Sequence, residues 1–186
     1  MDEVKETPER TQFLTFALAD QAYAVGLLQV REIIEYEGVQ PMPGTPASVR
    51  GVINLKGRAV PIVDLVRAFD LPSSPCTRET CILVFEVSLD GRQSTIGIAA
   101  DNVSQVTGCT DEDVEEAPLI GTPIPAEFLK GLVRMEGQFI PILDVERTLG
   151  SPEFKVASTT RPPQVEEEET VEGSACRPGE DDPPLP

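Results

Sequence analysis

The sequence predicts an all-β protein made of two small barrels, each of about five short strands, joined by short helical turns. Three observations predict it. One hairpin is written twice, as "VRGVINLKGRAVPIVDLVRAF" at 49–69 and "LKGLVRMEGQFIPILDVERTL" at 129–149. Gly51 then matches Gly131, Gly57 matches Gly137, Pro61 matches Pro141 and Asp64 matches Asp144. Alternating and β-branched runs recur along the chain, as half-buried strands require. Short turn signals separate these runs at the spacing of a small closed sheet, and closure removes exposed strand edges.

The elements follow in order. "QFLTFAL" alternates as a strand and "ADQ" turns the chain. "AYAVGLLQVREIIEY" is one bent strand or two joined ones, because Gly26 and its Val and Ile content disfavour a helix. A loop rich in Gly and Pro leads to "TPASVRG", read as one helical turn with Thr45 as N-cap, Pro46 at the first helical position and Gly51 as its stop. A tight turn at Lys56-Gly57 makes a hairpin of "VINLKGRAVPIVDL", in which Pro61 cannot donate to a ladder and so belongs at an edge or a bulge. "DLVRAF" is a helical turn capped by Asp64. The second half repeats this order. A hairpin turns at Asp90-Gly91, "TDEDVEEAP" is a loop or short helix, and Glu136-Gly137 turns the repeated hairpin. "VERTLG" then ends the folded part. Upstream, "GLLQVREI" aligns with "AADNVSQV", pairing Val30 with Val103 and Ile33 with Val106.

This organisation gives a flexible N-terminal arm at 1–10 and a folded unit at 11–150, with approximate halves 11–75 and 76–150 that either stand in sequence or exchange strands. A tail follows at 151–186. The tail holds seven of the eighteen prolines and nine acidic residues against three basic ones. So little apolar surface cannot offset ordering entropy, and the tail is expected to be disordered.

Composition excludes several function classes. The chain has no histidine, which removes the commonest general base, the commonest transition-metal ligand and any phosphohistidine relay on this chain. No glycine-rich phosphate loop occurs. The net charge is −17, of which the tail carries −6, so nucleic acid and anionic membrane surfaces are poor partners. No stretch has the ~20 apolar residues of a membrane span and the polar N-terminus has no signal-peptide core, so a cytoplasmic protein is expected. The four cysteines match no metal spacing and are expected to be reduced thiols.

"FLTFALADQAYAVGLLQVREII", "VRGVINLKGRAVPIVDL", "IGIAADNVSQV" and "FLKGLVRMEGQFIPILDV" resemble, in this order from about Phe13 to Leu149, the CheW family of bacterial chemotaxis coupling proteins. The resemblance implies two packed SH3-like five-stranded barrels, no catalytic activity and no cofactor or metal. It implies an adaptor between the cytoplasmic helical tip of a chemoreceptor and the regulatory domain of a CheA-type histidine kinase, recruited to receptor arrays at the inner membrane and able to join rings with the kinase or with CheW-like copies. It implies that Val30, Val103 and Val106 line a receptor-facing groove. Glu32 pairs with the basic residue of the hairpin motif, here Lys56, which keeps the charge but not the bidentate geometry of arginine. Ile120, in "EAPLIGTPIP", falls in a loop that meets the kinase or a neighbouring coupler.

The residues also support plainer readings. Valines in strands are ordinarily core. Glu32 and Lys56 form an exposed ion pair or stay solvated. Asp64 and Asp144 are helix N-caps, or else the matched carboxylates of a hydrolase. A self-assembling scaffold that needs no kinase is the other alternative to an adaptor.

Overall fold

The computed structural model describes residues 10–117, 121–152 and 154. The expected arm, apart from Arg10, lies outside the described residues, as do Ile120 and nearly all of the expected tail.

The described chain is mainly strand. Its strands are β1 (Thr11–Leu18), β2 (Gln21–Gly26), β3 (Val30–Glu35), β4 (Val49–Leu55), β5 (Arg58–Val63), β6 (Cys81–Leu89), β7 (Arg92–Ala100), β8 (Asn102–Cys109), β9 (Val114–Glu115), β10 (Leu129–Met135) and β11 (Gln138–Leu143). Two short helices, α1 (Leu65–Ala68) and α2 (Val145–Gly150), follow the two repeated hairpins. Four hairpins turn on adjacent residues of positive φ: Ala19 and Asp20, Lys56 and Gly57, Asp90 and Gly91, Glu136 and Gly137. That pairing matches the right-handed strand twist. Asp64 and Asp144 cap their helices by accepting the backbone N–H of Arg67 and Arg147, at 3.2 and 3.0 Å.

The strands form two sheets, ordered β8-β1-β2-β11-β10-β9 and β3-β6-β7-β5-β4. Each repeat therefore contributes to both. Repeat one places β1–β2 in the first sheet and β3–β5 in the second; repeat two places β6–β7 in the second and β8–β11 in the first. The long apolar segment at 22–36 is two strands in different sheets, joined by a 3-10 turn at Leu27–Gln29. The return crossing passes through Asp101, whose N–H donates to the Ala17 carbonyl at 2.9 Å and whose carboxylate accepts the Ala19 N–H at 2.8 Å.

Both sheets close. In the second, Gln40, just after β3, pairs with Val52 of β4. In the first, β8 turns through Asp111–Asp113 into β9, which pairs with β10. The repeated Gly51 and Gly131 sit at these closures. A Cβ on Gly51 would collide with the carbonyl of Gln40, and one on Gly131 with that of Glu115. Gly51 is thus a strand residue beside a register shift, not the stop of a helix. Thr45 does not cap either: its hydroxyl donates to the Met42 carbonyl at 2.8 Å and the chain makes only a turn before β4. Pro61 and Pro141 stand in interior strands, but on stretches still unpaired on one side, which act as local edges. Each lies one residue before its strand begins parallel pairing, Ile62 with Gly97 and Ile142 with Ala24, so the missing N–H falls where no neighbour waits on that side.

The core has three parts. Phe13, Ala24, Cys109, Val133, Met135 and Ile142 fill the first barrel; Ile53, Val60, Ile62, Ile82, Val84 and Ala99 fill the second. A larger cluster joins them, with Leu14, Phe16, Leu18, Tyr23 and Val25 facing Leu83, Phe85, Val87, Ile96 and Ile98. The alternate residues of β1, β2, β6 and β7 thus serve a barrel interior and the joint between barrels.

Two predictions follow from the closures. Gly131→Ala should cost about 1–3 kcal/mol, as overpacking does, whereas Gly137→Asn, at a turn in open space, should cost about a few tenths; urea unfolding that ranks them equally overturns the close-approach explanation. At the β8–β9 corner, the Asp113 carboxylate accepts the N–H and hydroxyl of Thr110 at 3.0 and 2.9 Å, and these bonds, the backbone one first, hold its carboxyl below the ordinary value. With the folded pKa depressed, its contribution to stability is present above the unfolded pKa and is lost as pH falls through the folded one. Thr110→Val should move the Asp113 midpoint upward in an NMR titration of the carboxyl carbons.

Candidate functional site

The crossing strands β3 and β8 hold four of the six residues singled out from sequence, Val30, Glu32, Val103 and Val106; Lys56 stands at the β4–β5 turn. Val30 lies opposite Phe85 and Val103 opposite Phe16. The repeat is therefore kept in space: a valine on each crossing strand faces a buried phenylalanine of the other repeat. Each crossing strand also carries an extra residue here, between Val30 and Glu32 and between Val103 and Val106. The latter shift sits opposite Thr15, whose buried hydroxyl donates to the Gln105 carbonyl at 2.9 Å and accepts the Gln105 N–H at 3.3 Å. Such shifts bend a strand and re-aim its side chains.

Val30 and Val103 are half-buried and both pack on the central cluster. The joint itself is filled by that cluster, so these valines form its margin. Val106 is 48% exposed and its repeat partner Ile33 45% exposed, while Leu28, on the crossing turn, is 98% exposed. The margin therefore exposes apolar side chains.

Glu32 and Lys56 form an ion pair at 3.3 Å. It spans the gap between β3 and the β4–β5 turn, the two ends of the second sheet. Lys56 is 78% exposed, so the pair is worth only about 0–1 kcal/mol. Beside it Arg31 pairs with Glu86 of β6 at 3.0 Å.

Sequence reasoning missed Arg50. Its guanidinium binds Asp64 at 2.6 Å, lies 5.2 Å over the Tyr36 ring and donates to the Cys76 sulfur at 3.5 Å. Asp64 is 1% exposed and also binds Arg67 at 3.4 Å. Burial works against the charge of Arg50, but Tyr36 and Asp64 outweigh it and hold the guanidinium above its ordinary value. The only signal was a basic residue before each repeated glycine, Arg50 and Lys130, and the repeats diverge there: Lys130 is exposed. The oxygens of Asp64 and Asp144 are engaged by their own caps and arginines, Asp144 with Arg147 at 3.7 Å. Cys81 and Cys109 are unpaired, and burial first, then Asp101 and Asp113 respectively, pushes their thiols up. Among the described residues no cluster of His, Cys, Asp or Glu is placed to hold a metal ion, and no helix is long and apolar enough to cross a membrane.

The CheW-like domain family model matches residues 12–153. The chain belongs to the CheW-like domain family. Among its relatives, Chemotaxis protein CheW of Treponema pallidum is 31% identical, over 79% of this chain and 86% of the relative. Chemotaxis protein CheW of Klebsiella aerogenes is 33% identical, over 77% of this chain and 84% of the relative. Protein FrzA of Myxococcus xanthus is 28% identical, over 70% and 78%. The crystal structure of the scaffolding protein TtCheW from Thermoanaerobacter tengcongensis superposes with a TM-score of 0.71, covering 82% of this chain and 96% of that one. At 22% identity that likeness establishes the fold. The CheW-like domain ends with α2 and its exit, and the acidic tail lies beyond it.

Arg50→Met should destabilise this CheW-like domain by about 3 kcal/mol or more, the cost of stranding a buried charge. Lys130→Met, at the matched exposed position, should stay within about 0.5 kcal/mol. Urea midpoints measure both, and equal shifts would refute the buried-pair assignment.

Proposed function

We propose that this chain is a non-enzymatic adaptor of chemotaxis-like signalling, coupling the cytoplasmic helical tip of a chemoreceptor to the regulatory domain of a CheA-type histidine kinase. The observation that carries the reading is membership of the CheW-like domain family across nearly the whole described chain. The names of the relatives support a chemotaxis role, and the solved neighbour is called a scaffolding protein. The molecule works in the cytoplasm, at receptor arrays on the inner membrane.

The margin between barrels suits the receptor. An amphipathic helix placed along β3 and β8 sets apolar side chains against Val106, Val30 and Val103, which is how helix-in-groove contacts gain affinity. Glu32 and Lys56 offer a charge of each sign beside it, which fixes register more than it adds affinity. The ends of the barrels are left to the kinase, with Ile120 in the loop that meets it. A scaffold assembled from copies of this chain alone is the second reading. It is favoured by Phe139, 51% exposed near the tip of the β10–β11 hairpin.

Titration calorimetry of the full chain against a receptor-tip helical hairpin and against a kinase regulatory domain tests the proposal. Binding to each is expected. Val106→Glu should weaken the receptor fragment about tenfold or more, as loss of an apolar anchor does, with the kinase affinity and melting temperature unchanged. A folded sample that binds neither partner overturns the adaptor reading, and rings formed without a kinase support the scaffold.

A further inference from the structure

The described chain ends on Phe154, which is fully buried although it lies beyond α2. Its ring meets Phe69 edge-on with centroids 6.3 Å apart, and Phe69 lies against Phe128 at 5.3 Å. Phe69 and Phe128 line an open cleft of ≈ 720 Å³ between α1, the 3-10 turn at Ala126–Phe128 and α2. Pro125 and Pro152 add apolar surface to it. Its charged residues are Glu127, Glu146 and Arg147, and Arg147 is already paired with Asp144 at 3.7 Å. The free charge of the cleft is therefore negative.

The family model stops at residue 153, so the acidic tail is an addition to the shared domain and starts at the edge of this cleft. Within the tail a cation stands beside proline at Arg161-Pro162-Pro163 and at Arg177-Pro178. The first lies seven residues after Phe154, a span that reaches up to ~25 Å when extended. A short tether of this kind gives an effective concentration of the order of millimolar. An aromatic cleft with a carboxylate rim suits a Pro-Pro ridge led by a cation, since proline-rich segments lose little entropy on docking to aromatic grooves. The glutamates at 166–169 are repelled by Glu127 and Glu146, and the second Arg-Pro step is farther away and followed by Glu180, Asp181 and Asp182.

We infer that residues 161–165 of this chain fold back onto the cleft between α1 and α2, with Pro162 and Pro163 on Phe69 and Phe128 and Arg161 facing Glu127 and Glu146. The docked segment covers this end of the molecule, and the glutamates at 166–169 lead the chain away from it. A partner that uses this end must displace the tail. The inference stands apart from the receptor and kinase assignment, because it concerns only this chain.

Hydrogen–deuterium exchange on the full-length chain at low concentration tests it. The amides of α1, α2 and Ala126–Phe128 should exchange several-fold more slowly in the native chain than in Arg161→Glu or in Pro162→Ala/Pro163→Ala. Combining Arg161→Glu with Glu127→Lys and Glu146→Lys should restore the protection. Equal exchange in all chains overturns the inference, as does a loss that the charge swap fails to reverse. Protection that rises with protein concentration assigns the cleft to the tail of a second copy and overturns the intrachain form.

Discussion

Four strands buried on both faces hold this molecule together. In β1, β2, β6 and β7 alternate side chains fill a barrel, and the side chains between them fill the joint to the other barrel. Phe16, Tyr23 and Phe85 are among the largest fully buried side chains, and all three face the joint. The barrel-facing positions are smaller where the walls approach, as at Ala24 and Gly97; a Cβ on Gly97 would strike Ile62 and Ile82. Neither barrel could be separated without exposing the large apolar set, a loss of roughly 25 cal/mol for every Å² returned to water. The barrels are mechanically one body.

The crossing of the chain follows from that joint. Because β3 and β8 leave one barrel and enter the other, the chain passes twice across the margin of the shared cluster. Val30 and Val103 are half-covered by this cluster. A helix bound along the margin would touch the strands that connect the barrels, so contact there bears on both at once. The hydrogen bonds of Asp101 to Ala17 and Ala19 fasten one crossing. Each crossing strand also carries one extra residue, which bends it there.

The two repeats are alike in backbone and unlike in chemistry. Both cap a short helix with aspartate, and both bring a glycine against the carbonyl of a closing strand. Only the first buries its aspartate under an arginine, with Tyr36 over the guanidinium; the second leaves Lys130 in solvent. A buried pair of this kind is costly to break and adds little over a well-packed apolar substitute. The Arg50 guanidinium also reaches the exposed Cys76 sulfur at 3.5 Å.

The sequence by itself determined the local pieces. The turns at Lys56-Gly57, Asp90-Gly91 and Glu136-Gly137 demand positive φ, and an aspartate before each "LV" or "VE" step caps a helix through contacts only three residues long. Duplication was legible because matched glycines, prolines and aspartates keep their spacing, and the ordered segments identified the family. Only the tertiary structure decided which sheet each strand joins. Strands buried on both faces read as continuous apolar runs, so periodicity could not say that β1–β2 and β3–β5 part company at Gly26. It decided too that Thr45 turns the chain without capping it, that Pro61 stands inside a sheet, and that Arg50 reaches Asp64. Each of these depends on a neighbour distant in sequence, and no local pattern of side chains encodes where that neighbour will lie.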